Sequence, residues 1–528
     1  MLTIGQRLAG LPPALAQQTL RVARLLEQGQ VDAAERGASA IMAQAPNHPE
    51  ILRLAGEVLQ RRGSNQRALG VLERARAARD DDAAIHNALA GVYEALNDTD
   101  RARTALRRAC ELAPDWGPCW FNYAWRLYVD GEIDAAICAA RRALTLAPHD
   151  AQARSLLADV LLADGKTEQA AIEYRRIIAA QPAAGVAWWG LATLKPVPFG
   201  ERDIQTMRRV LRDATLGEAD RVTIGSALGI ALEAHGDFAG AFDAMRGAHA
   251  VARRHEPYDA IAFSGRVDSI LDAFATGTTC SREAQGREVV FIVSMPRSGS
   301  TLTEQILAAH SQVAAGAEIS ILPQVLMRES ERLGRPFPDW VRTHTPEQWC
   351  DLGRRYLERT QRWRAQHPRF TDKLPGNWLY VGAIAAMLPN ARVVVCRRDP
   401  VETCLGCYRY MFRRHPYTHD FADLARRWRD FDRAVRHWKT RYPGRVHELV
   451  YEDLIADPNA QVHALLEFCG LPFEDACLKF HASARRVSTP SAAQVREPMR
   501  RDTARAHKYG ALLDPLRKEL GLPPFAAG

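Results

Sequence analysis

The sequence predicts an α-helical solenoid followed by an α/β domain with a mostly parallel central sheet. Three observations lead to this prediction: a repeat in the first half, two strand–turn–helix patterns in the second half, and an excess of positive charge that falls after residue 286. The chain has 528 residues, enough for several domains with buried cores. Its 47% hydrophobic and 25% charged residues are ordinary for a globular protein.

Internal periodicity marks the first half of the chain. Turn-forming residues recur every thirty-four positions, at Gly29, Gly63, Asn97, Gly131 and Gly165. Five residues after each of them stands an alanine, and seventeen residues after each stands a proline or, once, an aspartate. A residue that tolerates positive φ ends the first helix of each unit, and proline ends the second helix. The pattern predicts stacked helical hairpins with a concave face.

This phased pattern resembles tetratricopeptide repeats over residues 15–184, with a degenerate unit at 219–252. The predicted domains are a repeat domain over residues 1–256, a linker over 257–286 and a catalytic domain over 287–528. The resemblance implies a docking groove for a protein or peptide, and the acceptor substrate is one candidate occupant. A structural spacer or a dimerisation module is the alternative, and a homodimer stays open.

Cysteine use and hydropathy indicate a cytoplasmic protein. The ten cysteines are too sparse for a disulfide scaffold, and Cys396 and Cys469 stand in apolar runs, so we expect reduced, buried thiols. The N-terminal residues lack the apolar core of a signal peptide, and the sequence predicts no membrane span. The net charge of +8 suits an anionic ligand as well as an arginine-rich surface. We expect no nucleic-acid partner.

The first strand–turn–helix pattern predicts a site for an oxyanion. Residues 288–294, EVVFIVS, predict a buried strand, and an amphipathic helix is predicted from Leu302. The turn between them, PRSGST at 296–301, aims backbone N–H groups at an anion, and the helix N-terminus adds partial positive charge. A nucleoside triphosphatase would carry a Gly-Lys step that this turn lacks, and Arg297 lies inside the turn instead.

The second pattern predicts another anion site at the same edge of the sheet. A predicted strand, ARVVVC at 391–396, ends in Arg397 and Arg398 before the helix that follows Asp399 and Pro400. Positive side chains at the carboxyl end of a strand lie where α/β sheets bind ligands. Solvated charges at the start of a helix are the alternative interpretation of the two arginines.

Both segments resemble the nucleotide-binding segments of sulfotransferases. The stretches FTDKLPGNWLY, LVYEDLIADP and STPSAAQVREP extend the resemblance to the tyrosylprotein sulfotransferases and their bacterial repeat-containing relatives, over residues 287–512. It implies a P-loop-like sulfotransferase domain. It also implies a co-substrate, 3′-phosphoadenosine-5′-phosphosulfate (PAPS), whose product is adenosine 3′,5′-bisphosphate. The residues that the resemblance assigns to PAPS binding are Arg297, Ser298, Gly299, Ser300, Thr301, Arg398, Ser491 and Arg496.

Sulfuryl transfer to a hydroxyl acceptor needs cations at the leaving phosphate and a base for the hydroxyl proton. The resemblance places the base at Glu318. Arg297 and Lys373 are the candidate cations, Ser491 is a candidate hydrogen-bond donor, and no metal ion is expected. His310, at the end of the first helix, is the rival base, although a packing role suits it better.

Four further residues have weaker assignments. His415 and His419 follow the second helix and are predicted to touch the acceptor. Cys404 and Cys407 lie one helical turn apart and predict packed thiols, because no second cysteine pair stands at the spacing of zinc ligands.

Two departures from the family pattern keep other functions open. Gly406 stands where the family commonly has a serine, and Ala506 stands where relatives have an aromatic residue. One alternative is an interaction protein whose sulfotransferase-like domain binds nucleotide but turns over weakly. Another is a kinase-like enzyme that uses ATP on the same turn. The acceptor stays open between a protein tyrosine, which only the resemblance suggests, and a carbohydrate, a lipid or a small phenol.

Overall fold

The structure is a computed structural model of the chain. It describes residues 2–96, 98–194, 196, 199–276, 279–282, 285–316, 318–365, 367–410, 415–482, 499 and 503–526. The chain divides into two compact units, Met1–Gln181 and Pro182–Gly528. Within the described ranges, no helix has the length and apolar character needed to cross a membrane.

The first unit consists of helical hairpins, as the repeat predicts. Its helices are α1 (Ile4–Arg7), α2 (Pro13–Glu27), α3 (Val31–Gln44), α4 (Pro49–Arg61), α5 (Asn65–Ala78), α6 (Ala83–Ala95), α7 (Thr99–Leu112), α8 (Gly117–Asp130), α9 (Ile133–Leu146), α10 (Ala151–Ala163) and α11 (Thr167–Ala180). Four of the periodic turn residues, Gly29, Gly63, Gly131 and Gly165, have φ angles of 71°, 75°, 82° and 82°. They join the two helices of each hairpin, so the predicted left-handed turn is confirmed there. Asn97 lies outside the described residues.

Small residues let the helices of each hairpin approach closely. The phased alanines Ala34, Ala68, Ala102, Ala136 and Ala170 are fully buried. A side chain at Gly56 would collide with Leu72 of the paired helix, since an added Cβ would lie 2.5 Å from Leu72 Cγ. The alanines and glycines of the repeat therefore set the spacing between paired helices.

The second unit combines helices with a sheet. Its helices are α12 (Gly185–Thr193), α13 (Glu201–Leu211), α14 (Glu218–Ala234), α15 (Phe238–His255), α16 (Ala260–Ala273), α17 (Ser300–Ala308), α18 (Ile321–Leu333), α19 (Pro346–Arg359), α20 (Gln361–Arg364), α21 (Val381–Met387), α22 (Pro400–Arg409), α23 (Phe421–Arg441), α24 (Tyr451–Ala456), α25 (Pro458–Cys469), α26 (Ala506–Tyr509) and α27 (Asp514–Leu520). The strands are β1 (Val289–Ser294), β2 (Val313–Ala315), β3 (Arg369–Lys373), β4 (Arg392–Arg397) and β5 (Val446–Val450).

The five strands form one parallel sheet in the order β2-β3-β1-β4-β5, which confirms the predicted α/β fold. The central strand β1 is buried along its whole length. Ser294 at the end of β1 pairs with Cys396 on β4, and Ile292 pairs with Lys373 at the end of β3. Because carboxyl ends of parallel strands meet at the same edge, the segments that follow β1, β3 and β4 lie together.

Helices α12 to α16 belong to the same compact unit as the sheet. Helices α14 and α15 form a hairpin that turns at Gly236, where φ is 82°. Helix α16 occupies part of the stretch predicted as a linker and packs against α23. The structural division therefore falls at residue 182, and the predicted domain limits at 256 and 287 stay a proposal.

The expectation that all cysteines are reduced is wrong for one pair. Cys280 and Cys350 form a disulfide, with their Cα atoms 4.7 Å apart. Backbone contacts bring the two together, because Cys280 N donates to Ala386 O at 2.8 Å and the Gln285 side chain donates to Cys350 O at 3.0 Å. Seventy residues separate the two cysteines, so their meeting depends on tertiary structure. Cys396 and Cys469 are free and buried, as expected.

A buried histidine on α15 contacts both α22 and the segment that follows it. His249 Nε2 lies 2.7 Å from the carbonyl oxygen of Tyr408, and His249 Nδ1 lies 2.9 Å from His419 Nδ1. Because a carbonyl only accepts, His249 carries its proton on Nε2, and its Nδ1 then accepts from His419. Burial lowers the pKa of His249 to about 3. The neutral imidazole is therefore the form that fits the fold.

This histidine should make the second unit sensitive to acid. A histidine whose pKa is lowered on folding contributes stability that is present above its unfolded pKa of about 6.5 and is lost as the pH falls towards its folded pKa. Between pH 7 and pH 5 we expect a loss of about 2 kcal/mol, since each pH unit below 6.5 is worth about 1.4 kcal/mol.

His249→Gln is the matched control, because glutamine keeps an N–H donor for the Tyr408 carbonyl and does not titrate. Urea unfolding at pH 7 and pH 5 should show a smaller loss of stability in this variant than in the wild type. An equal loss in both would remove His249 as the cause.

Candidate functional site

The turn between β1 and α17 has the backbone of an anion-binding loop. Arg297 and Gly299 both have left-handed backbone conformations, with φ of 67° and 93°. Arg297 is a non-glycine residue in this region, and such strain concentrates at functional sites. Ser300 and Thr301, at the N-terminus of α17, are buried. The turn therefore presents backbone N–H groups and the positive end of a helix at one point.

The Arg297 side chain is half-buried beside the ring of Tyr410. Its guanidinium carbon lies 5.7 Å from the centre of the Tyr410 ring. Burial lowers the pKa of Arg297, and the nearby charges of Arg409 and Arg398 lower it further, against the opposing effects of Tyr410 and Cys407. A partly desolvated cation near two other cations is an environment that a bound anion would stabilise.

Side chains from two neighbouring segments fix this loop. An added Cβ at Gly299 would lie 2.9 Å from Tyr451 Cδ2, so the Tyr451 ring packs directly on the loop backbone. Ser298 Oγ lies 3.4 Å from Thr403 Oγ1, and Cys407 Sγ donates to the carbonyl oxygen of Pro296 at 3.3 Å. Helix α22, which follows β4, therefore contacts the loop that follows β1.

Gly406 has a structural reason that the sequence did not reveal. An added Cβ at position 406 would lie 3.0 Å from Arg297 Cβ and 3.5 Å from Arg297 Cγ. The side chain of Arg297 thus fills the space beside the position where the family commonly has a serine. Glycine at position 406 therefore leaves room for the left-handed arginine.

Arg397, the last residue of β4, and Arg398, which follows it, have different surroundings. Arg397 Nη1 donates to Asp432 Oδ1 at 2.6 Å, and its Nε pairs with Glu448, so both carboxylates hold it in the fold. Arg398 lies over the Tyr451 ring, with its guanidinium carbon 4.7 Å from the ring centre. Of the two, Arg398 is the one on the side of the anion-binding loop, as the resemblance implies.

Lys373 and Glu318 meet at the end of β3. Lys373 Nζ donates to Glu318 Oε1 at 2.6 Å. The lysine side chain is fully buried, whereas 45% of the glutamate side chain is exposed. The exposed carboxylate can accept a proton from a molecule that enters from solvent, while the lysine fixes its position. The charge of Glu318 also acts on His415, whose pKa is lowered by burial first and then by Arg427, with Glu318 opposing the shift.

Next to this pair, Asp372 is fully enclosed. Tyr356 donates its hydroxyl to Asp372 Oδ2 at 2.7 Å, and Asn377 Nδ2 donates to Asp372 Oδ1 at 3.3 Å. Burial raises the pKa of Asp372 to about 8. This residue braces β3 and the turn after it, on the strand face opposite Lys373.

The other sequence candidates have structural roles. His310 is buried, with its Nε2 2.9 Å from Pro472 O and its Nδ1 accepting from Gln312 N at 3.0 Å, so both ring nitrogens are used. His419 contacts His249, with 2.9 Å between their Nδ1 atoms, and its predicted contact with the acceptor stays a prediction. Cys404 and Cys407 are buried thiols, and burial raises the pKa of both.

Two predicted residues cannot be placed at the site. Ser491 and Arg496 lie outside the described residues. Among the residues that are described, no group of three or more His, Cys, Asp or Glu side chains has a geometry that could hold a metal ion.

Sequence reasoning missed two carboxylates beside the site. Glu402 Oε1 accepts the backbone N–H groups of Arg505 and Ala506 at 2.7 and 2.6 Å. Glu233 on α14 pairs with Arg409 and Arg505. The sequence around Glu402 and Glu233 does not indicate these contacts, because each involves a C-terminal segment more than a hundred residues away.

The two halves of the chain match different families. Residues 289–475 match a sulfotransferase family, and residues 25–90, 83–126 and 123–185 match the tetratricopeptide repeat. The chain carries tetratricopeptide repeats followed by a sulfotransferase-family domain. The sulfotransferase match includes the anion-binding loop, Lys373 and Arg398, and it ends before the C-terminal segment that contacts Glu402.

Individual relatives are distant. An uncharacterized protein of Aquifex aeolicus (strain VF5) is 29% identical over 381 residues, which are 68% of this chain and 49% of that protein. A protein-tyrosine sulfotransferase of Drosophila melanogaster is 26% identical over 205 residues, 36% of this chain and 39% of that protein. The chain thus spans less than half the length of either relative. A solved thermophilic TPR protein of Thermus thermophilus is 21% identical, with a TM-score of 0.30 over 32% of this chain and 92% of that one.

The contact between Gly299 and Tyr451 can be tested by adding one methyl group. Gly299→Ala should lower the free energy of unfolding by about 2–5 kcal/mol, because a left-handed backbone costs alanine about 1–2 kcal/mol and overpacking against the ring costs about 1–3 kcal/mol. Gly444→Ala is the matched control, since Gly444 has a φ of 75° and an added Cβ there meets nothing within 4 Å. Urea unfolding should show the larger loss for Gly299→Ala. Equal losses would contradict the packing of Tyr451 on the loop.

Proposed function

We propose that this chain is a PAPS-dependent sulfotransferase that transfers a sulfuryl group to a hydroxyl acceptor. The observation that carries the proposal is the position of Arg297 and Arg398 after neighbouring parallel strands, at the same edge of the sheet. The two cations are close enough for Arg398 to lower the pKa of Arg297. An adenosine with a phosphate at each end offers one anion to each arginine.

The chemistry of the loop supports a phosphate as its ligand. The left-handed backbone at Arg297 and Gly299 turns amide groups inwards, and the helix N-terminus at Ser300 adds its dipole. In the proposal this loop binds the 5′-phosphosulfate, and Arg398 binds the 3′-phosphate. Tyr451 connects the two sites, because its ring touches both Gly299 and the Arg398 guanidinium.

The proposed reaction is an in-line transfer. The acceptor oxygen forms a bond to sulfur, the bond between sulfur and the bridging phosphate oxygen breaks, and Glu318 takes the acceptor's hydroxyl proton. Lys373 orients the Glu318 carboxylate through their 2.6 Å hydrogen bond. The positive charge of Lys373, with that of Arg297, stabilises the negative charge that develops on the leaving phosphate. Ser491 remains a predicted donor to the same phosphate.

The acceptor belongs to the proposal as well. The name of the Drosophila relative says that it sulfates protein tyrosine, and this makes a peptide tyrosine the first acceptor to test here. The repeats offer a surface of the kind that docks peptides, and we propose that they recruit the acceptor. A cytoplasmic location stays a prediction, and the Cys280–Cys350 disulfide bears against it because such bonds are rare in reducing compartments.

The role of Arg398 can be isolated by comparing two ligands. Arg398→Ala should weaken the binding of adenosine 3′,5′-bisphosphate by about 10- to 100-fold, the usual effect of losing a charge-assisted hydrogen bond. The same variant should bind adenosine 5′-monophosphate within about twofold of the wild type, because that ligand lacks the 3′-phosphate. Calorimetric titration measures both affinities.

Arg436→Ala serves as the control for net charge. Arg436 is 76% exposed and pairs with Asp432, so its loss removes the same charge away from the site. Equal weakening of both ligands by Arg398→Ala would contradict the 3′-phosphate assignment.

The role of Glu318 can be tested by separating turnover from binding. Glu318→Gln should lower turnover by about 100-fold or more, because a general base contributes about 10²–10⁴-fold to rate. Its affinity for adenosine 3′,5′-bisphosphate should stay unchanged. Transfer of radiolabelled sulfate from PAPS to a tyrosine peptide and to a small phenol measures turnover.

Glu331→Gln, on the exposed surface of α18, is the matched control and should be fully active. Turnover retained in Glu318→Gln would assign the base elsewhere. An inactive wild type that still binds the bisphosphate would favour the alternative of a nucleotide-binding interaction protein.

A further inference from the structure

We propose that Glu233 is a positioning residue of the co-substrate site, which holds the C-terminal segment 503–509 and Arg409 in place and so sets the affinity for PAPS. Glu233 lies on α14, outside the stretch that matches the sulfotransferase family. The inference rests on the proposed function, and it extends the site to a helix that no catalytic assignment includes.

One carboxylate joins two segments of the chain. The Glu233 side chain is 4% exposed and forms a two-point contact with the guanidinium of Arg409, whose Nη2 donates to Oε1 at 2.7 Å and whose Nε donates to Oε2. Tyr509 donates its hydroxyl to Oε2 at 2.6 Å, and Arg505 donates to Oε1. Burial alone would raise the pKa of Glu233, but Arg409, Tyr509 and Arg505 together hold it below its ordinary value.

The same C-terminal segment reaches the 3′-phosphate arginine. Arg398 Nη2 donates to Thr503 O at 3.1 Å and to Glu402 Oε2 at 3.2 Å. Tyr451, which packs on the anion-binding loop, also touches the segment, because its hydroxyl lies 3.0 Å from Thr503 Oγ1. Residues 503–509 are thus held by Glu233 at one end and contact Arg398 at the other.

Arg409 links Glu233 to the anion-binding loop. It ends α22, the helix that packs on the anion-binding loop, and its charge is the largest electrostatic cause that lowers the pKa of Arg297. The two-point contact with Glu233 fixes where that charge lies. Without it, a long side chain with many rotamers would have to be ordered each time the co-substrate binds.

Two effects of removing the carboxylate oppose each other. Losing a negative charge makes the site more positive, which favours anion binding, whereas losing the anchor frees Arg409 and the C-terminal segment. The buried Glu233 carboxylate accepts four hydrogen bonds, and two arginines already balance its charge. We therefore expect the disorder of Arg409 and the C-terminal segment to have the larger effect on binding.

The experiment compares Glu233→Gln with Tyr509→Phe in the full chain. Tyr509→Phe removes one hydrogen bond to the Glu233 carboxylate and leaves every charge in place, so it tests positioning without changing the electrostatics. We expect the KM for PAPS to rise about tenfold in Glu233→Gln and about threefold in Tyr509→Phe, with kcat within about twofold, because neither residue meets the reacting atoms. The Kd for adenosine 3′,5′-bisphosphate should rise by the same factors.

Glu218→Gln is the matched control, since Glu218 lies at the exposed start of the same helix, and its KM and Kd should not change. An unchanged or tighter Kd in Tyr509→Phe would overturn the inference, even if Glu233→Gln failed to fold. If the wild type binds the bisphosphate and both variants bind it with the same Kd, this inference is overturned and the proposed function is not. A wild type that does not bind the bisphosphate overturns the proposed function and this inference together.

Discussion

The site depends on a left-handed backbone at Arg297, directly after the central strand of a parallel sheet. This conformation costs about 1–2 kcal/mol for a residue with a side chain. The surrounding segments offset that cost with specific contacts: Thr403 and Cys407 bond to the loop, and Tyr451 packs on Gly299. Gly406 leaves room for the arginine side chain. The loop after β1 and the helix after β4 are therefore complementary in shape and in hydrogen bonding.

Parallel strand pairing makes this mutual fit possible. Because β1, β3 and β4 are neighbours in register, Arg297, Lys373 and Arg398 come to the same edge although long stretches of sequence separate them. Each residue follows or ends a buried strand, so the rigid part of the fold fixes where its backbone lies. The proposed catalytic pair, Lys373 and Glu318, combines a buried cation with a partly exposed carboxylate. An acceptor can therefore reach the Glu318 carboxylate from solvent while the Lys373 side chain stays buried.

The sequence could predict the features that are periodic or local. The thirty-four-residue phase predicts the hairpins, and buried apolar runs that end in arginine predict the strands and the anion-binding edge. The resemblance assigned Lys373 and Glu318 separate roles, and only the structure shows their contact, since no local pattern links a strand end to a glutamate fifty-five residues earlier. The sequence shows Gly406 only as a departure from the family pattern, because its close approach to the left-handed Arg297 is visible only in three dimensions.

Long-range contacts explain what the sequence could not predict. The Cys280–Cys350 bond joins residues that have no shared pattern, and the predicted linker contains a helix that packs on α23. Glu233 stands in a stretch that was assigned to the repeats by its turn glycine, yet its partners are Arg409, Arg505 and Tyr509. Polar residues buried by distant segments leave no periodic trace, so they have to be found in the structure.

In the proposed site, one molecule with two phosphates bridges the loop after β1 and the arginine after β4. Calorimetric titration of the wild type, without metal ions, with adenosine 3′,5′-bisphosphate and with the 5′- and 3′-monophosphates tests it directly. We expect one bisphosphate per chain, bound at least about tenfold more tightly than either monophosphate and displaced by both. Tight binding of ATP with magnesium, together with a bisphosphate that binds no better than a monophosphate, would contradict it.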